Sequence, residues 1–592
     1  MPLLKGASSD YTTFLKYNAQ TLPAPAVKSA SAGAVPRASI IGTLTTASAV
    51  AIKASPRTSV LKNYEAVVAA AAEVVASLYL PVSVLTDVFI VKYNTSGVAQ
   101  WATTIGGTGS DTSSTLTTDS TDVYVSGFYT STGVVTLNNN KTLPSSSTVR
   151  DGYIVKYNKS GVAQWANNIK GTGDNRVYGH SVNSTNVYAA GIYTSTEIVT
   201  LNNNKTLPIT VGDRDGFIVK YDATTGLAQW ANAISGTFAD NLNAIATDST
   251  GVYVSGVCSS SVTLNNGKTL TDSGLFIVKY DTDGLAQWAN VFAGGIQVQA
   301  VFTDSTGVYI CGQYTSAGVV TLNNNKTLPA SAGDRDGFIV KYDTTTGFAQ
   351  WAASIAGTGL DWPFTITTDS TGVYVSGQYT STGVVTLNNN KILPASANAG
   401  SNDGFIIKYD ASNGDALWAT TIAGTGVDRG MYLTINSTGV YVSGIYTSTE
   451  IVTLNNNKTL PISVGNGAGG AAPFIVKYDT TTGLAQWANA IGGTGSPNGI
   501  TADQSNVYLF GYYISAGVVT LNNNKTLPAS GAGNYDGFII KYDASNGDAL
   551  WATTIAGTGS DSVAGIKTDA TGVYVIGAYN SPTTPVLLTN GS

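Results

Sequence analysis

Charge is scarce in this sequence. Of 592 residues, 11% are Asp, Glu, Lys or Arg, against about 25% in an average soluble domain. Only four are glutamates, Glu65, Glu73, Glu197 and Glu450, and a chain so short of a strong helix former is not a helical protein. A single histidine, His180, leaves little material for acid–base or metal chemistry, and two cysteines exclude a disulfide framework. The formal charge of −6 argues against general nucleic-acid binding, which needs a basic footprint. No apolar run is long enough to cross a membrane as a helix. The opening, MPLLKGASSDYTTFLKYNAQ, has no apolar stretch ahead of a small-residue cleavage site, so it does not read as a secretory signal.

What is present favours strands and turns. There are 66 Gly and 32 Tyr, and 43% of residues are hydrophobic, enough for a large core. Val, Ile, Thr and Tyr suit strands, while Gly, Asp, Asn and Ser suit turns.

An internal repeat organises the chain. FIVKY or a close variant begins at Phe89, Tyr153, Phe217, Phe276, Phe338, Phe405, Phe474 and Phe538, at steps of 64, 64, 59, 62, 67, 69 and 64 residues. A polar turn and a second strand with a tryptophan follow each copy: Trp101, Trp165, Trp230, Trp288, Trp351, Trp418, Trp487 and Trp551. A hairpin of the type ITTDSTGVYVSG comes next, its Asp and Gly suited to a tight turn. VYVSG has the β-branched and aromatic character of a strand.

One unit is thus four short antiparallel strands, the pattern of a propeller blade. FIVKY puts Phe, Val and Tyr on one face and Ile and Lys on the other. Its lysine is expected to bury its stem and keep its ammonium in water at the rim. The tryptophans are expected to form the core between blades.

The phase of the repeat argues for closure. The array starts with a FIVKY–Trp pair and ends with a TDATGVYVIG hairpin. Neither is a whole blade, and together they make one. The reading is an all-β, eight-bladed propeller of four-stranded antiparallel blades over 87–592, closed by its first and last half-blades. Closure removes free sheet edges. An open solenoid is the alternative, but solenoids carry atypical capping repeats rather than complementary halves.

DGFIVKYDTTTGLAQWA followed by TDSTGVYVSG resembles the SBBP-type β-propeller repeat, and the resemblance recurs over residues 88–580. It implies a propeller fold and a setting in large extracellular or surface proteins, with no shared catalytic residues to carry over. The sequence departs from the usual shorter repeat by an insertion.

That insertion, VVTLNNNKTLP, lies between VYVSG and FIVKY and reads as a small hairpin around an Asn-rich turn. Connections between second and third strands leave one face of the disc, so these hairpins are expected to crown that face. Either they extend and pack the blades, or they form a multivalent polar surface for glycan or protein contacts. On the second reading the candidate binding residues are Asn138, Asn139, Asn140, Asn204, Asn325, Asn390, Asn457 and Asn524. Most of these turns also spell Asn-Lys-Thr, a glycosylation sequon, although without a secretory signal ordinary N-glycosylation is not expected.

Little else suggests chemistry. His180 stands alone in a strand region and reads as structural. Cys258 and Cys311 read as small buried thiols. The aspartates opening both kinds of turn are explained by turn capping. Asp213 with Asp215, and Asp334 with Asp336, in two GDRDG segments, are candidates for a calcium site, although they lack a full set of alternating acidic ligands. GGTG and AGTG are not phosphate loops, because no Lys-Ser/Thr and no helix follows. The innermost strands offer mostly Thr, Ala, Ile and Leu, with no ring of charge facing the channel.

Residues 1–86 read as a separate, mostly irregular arm. They hold seven Lys or Arg against three acidic residues, with one candidate helix at 61–79. The arm is either a disordered leader or a segment that orders against a partner. SSDYTTFLKYNAQ is similar to leader segments of large DNA virus structural proteins. Three functional readings follow, in order. The first is a non-enzymatic structural and binding propeller displayed on a virion or cell surface, docked to a capsid or surface layer by the arm. The second is a lectin-like adhesin binding glycans or a host surface through the Asn-rich hairpins. The third is an enzyme with a site on the propeller face. No cofactor is expected.

Overall fold

The computed structural model describes residues 78–592, apart from 147–148, 293, 397–400, 464–469, 532, 589 and 592. Most of the arm, and the candidate helix up to residue 77, lie outside the described residues. The rest is an all-β propeller of eight four-stranded antiparallel sheets. Blades 1 to 7 cover 112–169, 176–234, 241–292, 295–355, 361–422, 428–490 and 494–555. Blade 8 is composite: Ser562–Asp569 and Gly572–Ser581 from the end of the chain, Ser83–Tyr93 and Ala99–Ile105 from its beginning.

The closing seam is an ordinary antiparallel ladder, with Val88 opposite Ala578 and Val91 opposite Val575. The innermost strands touch in an unbroken ring, that of blade 8 meeting those of blades 7 and 1. Eight apolar clusters hold the disc together, and each joins strands of neighbouring blades.

The arm's boundary differs from the one expected at residue 86. Ser83 and Asp87 already pair with the last blade, opposite Ser581 and Tyr579. Tyr79–Leu80 pairs with Val586–Leu587, so the last residue of the candidate helix is in a strand. LYLP before the first blade matches KTLP of the insertions, and VLL near the end matches VTL. The eighth insertion is therefore a hairpin cut within its turn, whose two halves meet again in space.

Local sequence explains the strands. VYVSG is buried throughout in blade 5, where Val373, Tyr374, Val375 and Ser376 have no exposure, because it lies second in the sheet between two blades. Its glycine is demanded by a close approach. A Cβ on Gly377 would stand 2.1 Å from the carbonyl oxygen of Trp362, beside a bulge between Pro363 and Thr365 in the innermost strand. The turns form as their aspartates require: Asp369 Oδ1 accepts from Thr371 N at 2.7 Å and Gly372 N at 2.9 Å.

The two thiols are free and buried. His180 takes the inward position that Leu116, Ile366 and Ile566 hold in other blades. Its ring lies between Thr117 Oγ1 and Ser126 Oγ, each at 2.7 Å. Burial, with some help from Lys567, lowers its pKa to about 3, so the imidazole is neutral.

Candidate functional site

The insertions do not stand up as a crown. Each folds along the outer edge of its own blade, and its turn reaches the start of the tryptophan strand. In blade 4, Asn323 Nδ2 donates to Gly347 O and to Asn290 Oδ1 of the preceding blade, both at 2.7 Å. Asn323 Oδ1 accepts from Ala349 N at 2.7 Å, and Asn324 Nδ2 donates to Ala349 O at 3.1 Å. Two amide side chains thus replace a missing fifth strand. An outermost strand otherwise presents unpaired N–H and C=O groups, and here its first residue has both satisfied. Asn138 and Asn139 do the same for Gly161 and Ala163 in blade 1.

The three asparagines of the turn have different jobs. The first two cap the edge. The second and third are left-handed, with φ of 57° at Asn324 and 55° at Asn325, closing the tight turn. Blade 3 has Gly267 in third place, which meets the same backbone demand without an amide. Asn140, Asn204, Asn325, Asn390, Asn457 and Asn524 all occupy that third place and are exposed. Of the sequence candidates, Asn138 and Asn139 are therefore engaged internally and the other six face solvent. A six-residue step earlier in the same segments, Val134, Ile198, Val319, Val384, Ile451 and Val518 are also exposed, each by 58–64%.

This division predicts unequal effects at neighbouring positions. Asn323→Ala removes the bonds to Gly347 and Ala349 and leaves a half-buried strand edge unpaired, at a cost of about 1–3 kcal/mol. Asn325→Gly keeps the left-handed turn and is expected to change stability by less than about 0.5 kcal/mol. Chemical denaturation of the two variants measures the difference.

In six of the eight copies the repeat lysine does not keep its ammonium in water, while Lys92 and Lys220 are half-buried. Lys341 is 4% exposed, and its Nζ donates to Ala411 O in the next blade at 2.9 Å. Trp351 Nε1 donates to the same oxygen at 3.1 Å. The ammonium also lies 5.4 Å from the centre of the Tyr309 ring, a favourable cation–π placement. Burial holds the Lys341 pKa below its ordinary range, while Asp304, Asp343 and Asp410 act against that shift. Lys156 with Trp165, Lys279 with Trp288 and Lys408 with Trp418 repeat the latch. Lys541 and Trp551 make it to Thr95 O across the seam. The recurrence of Lys before Tyr in every FIVKY copy was the available signal.

The tryptophans sit between blades. Trp351 lies between Tyr309 of its own blade and Tyr409 of the next, at centroid distances of 6.1 and 6.4 Å. Its ring covers Gly414, which has φ +78° and no room for a Cβ.

The GDRDG aspartates are not equivalent. Asp213 and Asp334 are exposed, whereas Asp215 and Asp336 are fully buried at the start of their strands. Among the described residues no group of three or more His, Cys, Asp or Glu is placed to hold a metal ion. A shallow depression of about 300 Å³ is lined by Asp174, Ile192, Thr194, Asp213, Arg214 and Ala239. No helix among the described residues is long and apolar enough to cross a membrane.

No family model matches the chain. It is similar to an uncharacterized WD repeat-containing protein, L264, of Acanthamoeba polyphaga mimivirus, 27% identical over 488 residues. The match covers 67% of this chain and 34% of the relative, so this chain spans about a third of that protein's length. Among solved structures it is similar to the quinohemoprotein alcohol dehydrogenase of Comamonas testosteroni, at 12% identity and a TM-score of 0.36, over 76% of this chain and 75% of that one. It is also similar to the exotype rhamnogalacturonan lyase YesX, at 10% identity and a TM-score of 0.24, over 79% and 89%. Likenesses this distant carry nothing about chemistry.

Proposed function

We propose that this protein is a non-enzymatic binding and structural scaffold: a closed propeller disc displayed on a larger assembly, a virion or a cell surface, and attached to it through residues 1–77. The observation that carries the reading is the repeated rim. Six blades present one exposed aliphatic and one exposed, left-handed asparagine at the same places in the insertion, a multivalent surface in which weak contacts add. The similarity to a protein of a large virus supports a virion setting. Within this proposal the SBBP-type resemblance supports a surface role.

The experiment compares the full chain with a chain beginning at residue 78. The shortened protein is expected to fold as the same disc, because Tyr79–Leu80 and Ser83–Tyr93 remain, and to be absent from purified particles or cell envelopes. Normal incorporation of the shortened protein sinks the attachment. A second reading, glycan binding, is favoured by the six third-place asparagines, whose amides point to solvent. A glycan array separates the two. Binding that is lost when these asparagines are replaced by glycine favours the lectin-like reading.

A further inference from the structure

Two aspartates meet at most blade junctions, one at the start of a third strand and one in the loop that enters the next blade. A backbone bond sets them side by side. Asp240 N donates to Arg214 O, Asp361 N to Arg335 O and Asp561 N to Tyr535 O, at 2.9, 2.8 and 2.7 Å. Each carbonyl belongs to the residue just before Asp215, Asp336 or Asp536. All six aspartates are at most 2% exposed. The loop member is held by backbone donors: Asp240 Oδ2 accepts from Gly236 N, Asp361 Oδ2 from Gly357 N, and Asp561 Oδ2 from Gly557 N. The strand member has one oxygen without a partner, Oδ1 of Asp215, Asp336 and Asp536, and in the pair of blades 4 and 5 Oδ1 of the loop member Asp361 has none either.

The junction of blades 1 and 2 shows what that oxygen requires. There the loop residue is Asn175, set by the same bond, from its N–H to Arg150 O. Asn175 Oδ1 accepts from Thr194 N, and Asn175 Nδ2 donates to Asp151 Oδ1 at 3.1 Å. The strand aspartate receives a proton donor from the loop residue. Where the loop residue is aspartate, the same pair has acceptors only, unless one carboxyl is protonated.

We propose that Asp215–Asp240, Asp336–Asp361 and Asp536–Asp561 each hold one shared proton, forming carboxylic acid–carboxylate clamps between consecutive blades that release as pH rises past neutrality. Asp87–Asp111 and Asp403–Asp428 occupy the same places at two further junctions. Burial pushes the pKa of Asp215 up to about 6 and those of Asp361 and Asp561 up to about 7; backbone N–H donors act against it, and the neighbouring carboxylate adds a smaller upward push. Asp240, Asp336 and Asp536 are raised by burial as well. Among the titratable groups facing the three pairs are Tyr193 and Cys258, Tyr314 and Tyr379, and Tyr513. All are themselves raised and neutral in this range. No lysine or arginine forms an ion pair with these six aspartates among the described residues.

The sign follows from linkage. A carboxyl whose folded pKa lies above its unfolded value stabilises the fold fully below the unfolded pKa, and this stability is lost as pH rises through the folded pKa. Turn aspartates such as Asp343 and Asp479 are held low by backbone N–H groups and act oppositely, losing their stabilisation in acid. Stability should therefore peak near about pH 4 and fall as pH rises to about 8, levelling above that.

The test is thermal unfolding of the full chain across that range, with reciprocal variants. Asn175→Asp adds a clamp. It should leave the melting temperature near wild type at about pH 4 and lower it by several degrees at about pH 9. Asp361→Asn removes one and should flatten the decline. The infrared C=O stretch of protonated carboxyl groups in the native protein at about pH 6 gives a readout that needs no variant. Stability that is level or rising from pH 5 to pH 9, or an absent carboxylic-acid band, overturns the proposal. So does an Asn175→Asp shift that is equal at both pH values. A calcium chloride titration that raises the melting temperature at high pH, and no longer does so in Asp361→Asn, would replace the proton with a cation and overturn it too.

Discussion

Removal of residues 565–592 is expected to turn a soluble disc into an aggregating chain. The deletion takes the second strand of blade 8, Gly572–Ser581, which lies between Ser83–Tyr93 and the innermost strand. Val573, Tyr574, Val575, Ile576 and Tyr579 in that strand are fully buried. At ~1.5–3 kcal/mol for each large apolar side chain, their loss rivals the ~5–15 kcal/mol that holds a typical domain. Ser83–Tyr93 would then present a bare apolar edge, and blade 7 would lose a neighbour. The innermost strands of blades 7 and 1 would face a gap. Size-exclusion chromatography and a melting curve measure the outcome, and a truncated monomer with an unchanged transition would mean that the ring does not depend on its seam. Cutting at the other end tests the same seam. Removal of residues 1–86 deletes Leu80 and Ser83, both fully buried, and should also destabilise the disc, whereas removal of 1–77 should not.

Trp351→Ala should cost about 3–5 kcal/mol, as truncation of a large aromatic residue in a packed core does. The indole is 4% exposed, lies between Tyr309 and Tyr409, and shares Ala411 O with Lys341. Alanine leaves a cavity over Gly414 and leaves the Lys341 ammonium alone on that carbonyl. Trp351→Phe keeps most of the ring contact and loses one hydrogen bond, so its cost should be nearer ~1 kcal/mol. Denaturant midpoints of the two variants check the order. A cost below ~1 kcal/mol for the alanine variant would mean that the tryptophan is not packed between blades.

The candidate site was less legible than the fold. The Asn-rich turn was readable as a turn, because asparagine tolerates positive φ, and its presence in seven copies marked it as a unit. Its direction was not readable. Whether the hairpin rises from the face or lies along the edge depends on Asn323 finding Gly347 and Ala349, 24 and 26 residues away. The same limit hid the lysine latch, whose acceptor lies in the next repeat: Lys341 meets Ala411, 70 residues on. It hid the aspartate pairs as well, since GDRDG and the loop aspartate that faces it are separate motifs in the sequence.

What the amino-acid sequence determined by itself was what repeats locally: strand identity from the alternation of β-branched and aromatic residues, turns from Asp and Gly, the number of blades, and closure from the complementary halves at the two ends. These depend on neighbours a few residues apart, or on a count. What only the tertiary structure decided was where polar atoms end up once blades stack. The ammonium of Lys341, the amides of Asn323 and Asn324 and the carboxyl of Asp336 all find their surroundings in segments distant in the chain. Most buried polar groups depend on such segments to supply a partner. The eighth insertion shows both sides of this division. Its halves, LYLP and VLL, are legible as sequence at opposite ends of the propeller, but only the closed ring brings Leu80 opposite Val586.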